Sequence, residues 1–177
     1  VGIGGSALGP KLLMDALGRD EPKYQIHIAS NVDGAALAEI FAKVDAQTTM
    51  LAVASKTFTT TETLMNAQSV LTWMAEQGVE DPYGRVIALT AAPDKALEWG
   101  VDESRVLPFA ESVGGRYSLW CSIGFPAAIG LSAEAFEEML AGAAQMDKHF
   151  MTAPLAENAP VLAAIADRMY AEAGIET

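Results

Sequence analysis

The sequence has little cysteine and little positive charge, and both shortages exclude classes of protein. Cys121 is its one cysteine, so an intrachain disulfide and a cysteine-rich metal site are excluded, as suits a reducing compartment. Eleven lysines and arginines stand against 23 aspartates and glutamates, for a formal net charge of −12. Because such a chain repels polyanions, we expect neither nucleic acid nor a membrane as its partner.

The sequence also lacks a long apolar run. Polar residues or glycines interrupt its apolar stretches, so we predict no signal peptide or spanning helix and expect a cytoplasmic protein. Hydrophobic residues still make up 51% of the 177, enough for a sizeable core. The chain opens on Val1-Gly2-Ile3, as if inside a core strand, and from this we expect a fragment or excised domain. The acidic residues are scattered over helix faces, and no metal site is predicted.

Short apolar runs alternate with helix-like segments up to about residue 110. This alternation predicts βαβ units, and therefore an α/β fold with a parallel sheet flanked by helices. Beyond it, apolar residues recur only at three- and four-residue spacing. We predict an α/β domain over residues 1–131 and trailing helices over 132–177 that pack on it. The predicted strands are 24–29, 49–54, 85–90 and 105–109, and the predicted helices are 12–17, 34–43, 60–77, 93–99, 119–131, 133–150 and 160–173.

A glycine-rich turn occupies residues 2–10, between the end of a strand and the start of a helix. Glycine lets backbone amides approach a ligand closely, and the helix that follows favours an anion at its start. Ser6 adds a hydroxyl. The turn also fits a loose dinucleotide-binding pattern, but Ser30 and Asn31 stand where that pattern needs an acidic residue. A tight turn that serves packing alone is the alternative.

A second polar segment, SKTFTTTE at residues 55–62, follows the most apolar predicted strand and opens a long helix. Hydroxyl groups, one ammonium group and the positive end of a helix suit an anion. A capping box, with Thr59 as N-cap and Glu62 as its partner, is the alternative. It would leave four residues free for a ligand: Ser55, Lys56, Thr57 and Thr60.

A third segment places two glycines beside Arg116, in VGGRYSLW at residues 113–120. The glycines let the backbone bend, and the guanidinium group is a permanent charge with a planar fork of donors. Such a group can hold a phosphate or stabilise an oxyanion that develops during a reaction. A surface arginine in a salt bridge is the alternative.

The three segments, taken in this order and spacing, closely resemble the phosphoglucose isomerase family. GGRYSLW is highly specific to that family, and SKTFTT is nearly so. Residues 31–34 and 144–150 are also similar, so the resemblance covers nearly the whole chain. It implies most of the first of two sugar isomerase (SIS) domains, each a three-layer, flavodoxin-like α/β fold.

The resemblance also implies a reaction and a role for each candidate residue. The family interconverts glucose 6-phosphate and fructose 6-phosphate through a cis-enediol, without metal or cofactor, and its full-length members are expected to be homodimers. Gly5 and Ser6 would lie close to the sugar. Arg116, with the amide of Gly115, would stabilise the enediolate. The residues implied to bind the phosphate are Ser55, Lys56, Thr57 and Thr60.

The sequence departs from the family pattern in two ways. Thr61 replaces a glutamine and Ala7 replaces an acidic residue, neither at a position implied to contact phosphate. The larger departure is that the family's catalytic glutamate motif, ring-opening histidine and C-terminal lysine have no counterpart, and neither His27 nor His149 matches. Because proton transfer between C1 and C2 needs a base, we predict that this chain alone does not turn over substrate.

Two other functions stay open on the sequence. One is a stand-alone SIS module that binds sugar phosphates for regulation, and Arg116 disfavours it because binding alone needs no oxyanion stabiliser. The other is a dinucleotide-binding oxidoreductase domain, which Ser30 and Asn31 disfavour. Thermal stabilisation of the protein by fructose 6-phosphate or by NAD discriminates between the sugar-phosphate-binding and dinucleotide-binding functions.

Overall fold

The computed structural model describes residues 1–18 and 24–175. They form two compact units, Val1–Ala133 and Glu134–Thr177. The predicted domain division after residue 131, and the packing of the trailing helices on the first domain, stay predictions. Parts of both predicted domains, residues 19–23 and 176–177, lie outside the described residues.

The first unit is built on a parallel sheet whose three strands run in the order β1-β2-β3. Leu51 pairs with Val86, and Ala88 pairs with Val106. Helices connect and flank the strands, so the predicted α/β class with a parallel sheet is confirmed. The strands are β1 (Leu51–Ala54), β2 (Val86–Thr90) and β3 (Val106–Pro108), and the helices are α1 (Gly5–Leu17), α2 (Gly34–Phe41), α3 (Thr61–Glu76), α4 (Pro93–Trp99) and α5 (Phe125–Leu131).

Apolar side chains cover both faces of the sheet. Val53 and Val86 point into a core that includes residues of α2, α3 and α4. Leu89 points to the opposite face, where it packs with Ile123 and Phe125. A parallel sheet buried on both faces needs apolar residues at successive positions, which explains why β1 and β2 are continuous apolar runs.

The prediction of a strand over residues 24–29 is wrong. That segment carries no strand, although Gly2 N donates to Ala29 O at 3.2 Å. Beside it, Val1 O accepts from Ala54 N at 2.9 Å, and Gly2 forms an isolated parallel bridge to Ala54. Apolar alternation suits a strand, but a strand also needs a ladder of backbone partners.

The prediction of one helix over residues 119–131 is also wrong in its first half. Two 3-10 turns, Gly115–Trp120 and Ser122–Gly124, precede α5. Cys121 between them is extended, with φ −114° and ψ −162°, which breaks a helical path. Pro126 in the first turn of α5 then suits a helix start, because proline's fixed φ is helical and its missing N–H needs no partner there.

The described part of the second unit is made of α6 (Ala133–Thr152), which starts one residue before the unit, and α7 (Ala159–Glu172). Asn158 joins them: its oxygen caps α7 at Val161 N (3.3 Å), and its Nδ2 donates to Phe150 O (2.8 Å). His149 Nε2 accepts from Ala159 N at 3.1 Å, so this histidine serves the joint between the helices. In the described part of the chain, no helix combines the length and apolar character needed to cross a membrane.

Candidate functional site

Two loops lie at the carboxyl end of β1, and a third packs against one of them. The turn predicted over residues 2–10 is shorter in the structure, because α1 begins at Gly5 and not at residue 12. We call residues 2–6 the glycine turn, residues 55–60 the anion loop and Gly115–Trp120 the arginine turn. The anion loop directly follows β1, and the glycine turn lies beside it because Gly2 bridges Ala54. The arginine turn packs against α1, which the glycine turn opens. In open parallel sheets, ligands bind beyond the carboxyl ends of the strands, at this kind of position.

The glycine turn and the arginine turn touch backbone to backbone. A Cβ on Gly5 would lie well inside 3.0 Å of the Gly115 carbonyl and 2.9 Å from Arg116 N. Gly4, the N-cap of α1, has φ +59°, a positive value that glycine adopts without strain. Packing therefore explains the glycine at position 5, because a residue without a Cβ lets the two turns approach each other.

Backbone hydrogen bonds tie the anion loop to the end of β2. Ser55 N donates to Leu89 O at 3.1 Å, and Ala91 N donates to Lys56 O at 3.0 Å. Phe58 N closes a tight turn on Ser55 O at 3.3 Å. The shape of the loop is therefore set by a strand about 35 residues later in the sequence, which local sequence patterns do not reveal.

The capping-box prediction is wrong. Thr60, not Thr59, is the N-cap of α3, and no side chain caps the helix. The Thr60 hydroxyl is instead 3.1 Å from the Ser55 hydroxyl, and Thr59 Oγ1 donates to Thr57 Oγ1 at 2.8 Å. The hydroxyls of the loop thus bond to one another, and the first-turn amides of α3, which have no intrahelical acceptor, remain for an anion.

The residues predicted to bind phosphate differ in their exposure to solvent. Ser55 is 3% exposed, Lys56 and Thr60 are half-buried, and Thr57 is exposed. Ser55 therefore lies beneath the loop and supports Thr60, while Thr57 reaches the surface. Ser6, in the first turn of α1, is also half-buried.

Arg116 is exposed on the arginine turn. Of the acidic groups that the structure describes, none lies within 4.0 Å of its guanidinium group, and the ion pair that forms joins Arg168 to Glu172. The salt-bridge alternative is thus not found in the described residues. The turn itself is held by the Ser118 hydroxyl, which is buried and donates to Gly115 O at 2.7 Å.

Phe58 is held in a strained conformation in the anion loop. Its φ is +50°, which a residue with a Cβ adopts at a cost of about 1–2 kcal/mol. Its ring is 3% exposed and meets Trp99 edge-on, with centroids 5.9 Å apart. Burial of the ring thus offsets the strain and anchors the middle of the loop.

This strain predicts an unusual order of stability. Phe58→Gly and Phe58→Ala both lose the buried ring, for about 3–5 kcal/mol, but glycine also removes the strain. We expect the glycine variant to be the more stable by about 0.5–1 kcal/mol in urea unfolding. At Leu71, inside α3 and equally buried, glycine should be the less stable by about 1 kcal/mol. The same order at both positions would contradict the strain.

Sequence reasoning missed two residues that shape the site. Thr90 ends β2, is fully buried, and its hydroxyl donates to Lys56 O at 3.2 Å. Asn66, 2% exposed, donates from Nδ2 to Asn31 O at 2.9 Å and ties α3 to the loop before α2. The signal that could have found them is a polar residue at the end of an apolar strand, for Thr90, and one on the apolar face of an amphipathic helix, for Asn66.

A metal centre is not formed within the described ranges. Residues 1–18 and 24–175 contain no group of three or more histidine, cysteine, aspartate or glutamate side chains placed to hold an ion. The donors at the carboxyl edge are hydroxyls, backbone amides and the cations of Lys56 and Arg116. Such donors suit an anionic ligand.

Comparison with known proteins by sequence gives one family. The family model described as phosphoglucose isomerase matches residues 1–177. The chain is 67% identical over 170 residues to a protein from Rhizorhabdus wittichii named glucose-6-phosphate isomerase, covering 96% of this chain and 34% of that protein. It is 61% identical over 170 residues to one from Zymomonas mobilis with the same name, again covering 96% and 34%. The chain thus spans about a third of the length of the curated relatives it matches.

Comparison with solved structures agrees with the family found by sequence. The fold matches a crystal structure of a glucose-6-phosphate isomerase from Chlamydia trachomatis with a TM-score of 0.79 and 33% identity, over 92% of this chain and 32% of that one. The similarity therefore extends to the arrangement of the strands and helices. Since the family model matches the sequence from end to end, this chain belongs to the phosphoglucose isomerase family.

Proposed function

We propose that the whole protein is a glucose-6-phosphate isomerase and that this chain supplies its phosphate site and its enediolate-stabilising arginine. In this proposal it interconverts glucose 6-phosphate and fructose 6-phosphate through a cis-enediol, as a cytoplasmic homodimer without metal or cofactor. Family membership and the names of the relatives support the reaction.

The main support for placing the site at these residues is their arrangement: the anion loop and the glycine turn both lie at the carboxyl end of β1, and the arginine turn packs against the glycine turn. The anion loop offers hydroxyls, the Lys56 ammonium and the first-turn amides of α3. A dianionic phosphate takes donors of these kinds, and the dipole of α3 adds to them. The overall charge of −12 opposes any anion, so binding has to come from such local donors.

We assign the phosphate to Ser55, Lys56, Thr57 and Thr60. Ser55 acts mainly through Thr60, because it is buried and its hydroxyl lies 3.1 Å from that of Thr60. Gly5 and Ser6 would lie beside the sugar. Arg116 and the Gly115 amide would face the charge that develops on the enediolate, where a fixed donor stabilises the transition state more than the ground state.

Ligand binding to the chain tests the assignment. We expect saturating fructose 6-phosphate, at about 100 times its Kd, to stabilise the chain by about 2.7 kcal/mol and raise its Tm by about 5–10 °C. NAD should give no shift, because the dinucleotide pattern lacks its acidic residue. Differential scanning fluorimetry measures both, and a shift with NAD alone would favour the oxidoreductase function.

A matched pair of lysine variants tests the anion loop. Lys56→Gln should weaken fructose 6-phosphate binding about tenfold, because a charge-assisted contact is worth about 1.5–3 kcal/mol and Lys56 is half-buried. Lys43→Gln makes the same charge change at an exposed residue just after α2, and the affinity should stay within about twofold. Isothermal titration calorimetry compares the two, and equal losses would contradict a specific role for Lys56.

Turnover separates the isomerase from a regulatory sugar-phosphate module. The chain alone should show no isomerase activity above background in a coupled assay, because the family's base has no counterpart in it. The whole protein should be active. Sugar-phosphate binding without turnover by the whole protein would favour the regulatory module.

A further inference from the structure

The Thr90 hydroxyl uses both its donor and its acceptor at the end of β2. It donates to Lys56 O at 3.2 Å and accepts from Ala92 N at 3.0 Å. The residue is fully buried, so water cannot replace either bond. Thr90 therefore links the anion loop to the chain that follows β2, from beneath the proposed phosphate site.

The Lys56 carbonyl accepts two hydrogen bonds, from Thr90 Oγ1 and from Ala91 N at 3.0 Å. A carbonyl oxygen has two lone pairs, so two donors hold its direction. The peptide bond from Lys56 to Thr57 is trans. In a planar trans peptide the N–H points opposite to the C=O, so the Thr57 amide points away from β2.

We propose that Thr90 is a positioning residue that aims the Thr57 amide at the sugar phosphate. This inference rests on the proposed function, because it assumes that the anion loop holds the phosphate. Thr57 is exposed, and no described acceptor bonds to its amide. A donor held in place before the ligand arrives binds an anion more tightly than one that must reorient.

Two substitutions separate the effect of the Thr90 hydroxyl from the effect of its side-chain volume. Thr90→Val keeps the shape of the side chain but removes the hydroxyl, so the Lys56 carbonyl keeps one donor and its peptide can rotate. Thr90→Ser keeps the hydroxyl and loses a methyl group. If Thr90 served packing alone, Thr90→Ser, which loses a methyl group, would weaken binding more than Thr90→Val. The proposed role requires the opposite, that Thr90→Ser binds phosphate as the wild type does.

Kinetics of the whole protein test the role. Thr90→Val should raise the KM for fructose 6-phosphate and the inhibition constant of inorganic phosphate about tenfold, with kcat within about threefold. Phosphate is held alike in ground and transition states, so its loss appears in KM. Thr90→Ser should stay within about twofold of wild type in all three. An unchanged phosphate constant in Thr90→Val, or a serine variant as weak as the valine variant, would overturn the proposal.

A second measurement needs no variant that could misfold. In the whole protein labelled with 15N-threonine, inorganic phosphate should shift the Thr57 amide resonance at least as much as that of Thr61 in the first turn of α3. Shifts at Thr60 and Thr61 without Thr57 would overturn the role of Thr90 and leave the proposed function standing. Saturating phosphate that moves no threonine amide of the anion loop would overturn the proposed function itself.

Discussion

Gly5→Ala is expected to separate the glycine turn from the arginine turn and to remove most of the activity of the whole protein. The added Cβ would fall well inside 3.0 Å of the Gly115 carbonyl, and backbone atoms cannot move aside as the end of a flexible side chain can. Forcing extra volume into a packed contact costs about 1–3 kcal/mol. A displacement of about 1 Å at a catalytic group lowers the rate about 100-fold. Urea unfolding and steady-state kinetics measure the two effects.

Gly142→Ala is the matched control for this substitution. Gly142 lies inside α6, and a Cβ there would meet nothing within 4 Å. Alanine favours a helix over glycine by about 1 kcal/mol, so this variant should be slightly more stable than wild type and equally active. If Gly5→Ala behaved like Gly142→Ala, the close approach of Gly5 and Gly115 would not be needed for the site.

Arg116→Ala is expected to lower kcat of the whole protein by about 100- to 1000-fold, with KM within about threefold. Removal of one donor to a developing oxyanion has an effect of this size. Arg116 has no described ion-pair partner, so its loss leaves no acidic group unpaired and should change stability little. Arg116→Lys should recover part of kcat, because it keeps the charge but not the planar fork.

Arg168→Ala provides the comparison. This arginine pairs with Glu172 on the exposed surface of α7 at 2.7 Å, a contact worth about 0.3–0.5 kcal/mol. Its removal should leave kcat and KM unchanged in the isomerase assay. An Arg116→Ala variant that raises KM while keeping kcat would instead indicate that Arg116 binds the ground state, contrary to the proposed role.

Sequence patterns predicted most of the elements of the first unit. The alternation of apolar runs and helical segments predicted three strands and the helices after them, because each run carries its own local signal of period and length. The segment at 24–29 carries a similar signal but forms no strand. Its apolar residues indicate burial, and burial alone does not supply a ladder of hydrogen-bonding neighbours.

The chemical types at the candidate site were also evident from sequence. Hydroxyls with Lys56 and a glycine pair with Arg116 indicated anion binding before any contact was known, because these donors have few other uses in such density. Their partners were not evident. Thr90 read as the last residue of an apolar strand, and its hydrogen bond to Lys56 spans 34 residues of sequence.

By itself, the sequence determined the order of most elements and, through its motifs, the family, and it predicted anion-binding chemistry for three segments. Only the tertiary structure decided that Gly5 meets Gly115, that Thr60 rather than Thr59 is the N-cap of α3, and that Thr90 holds the anion loop. The physical reason is the sequence distance over which each kind of interaction acts. Propensity and periodicity depend on residues within a few positions, whereas these contacts join segments that only the packing of helices on the sheet brings together.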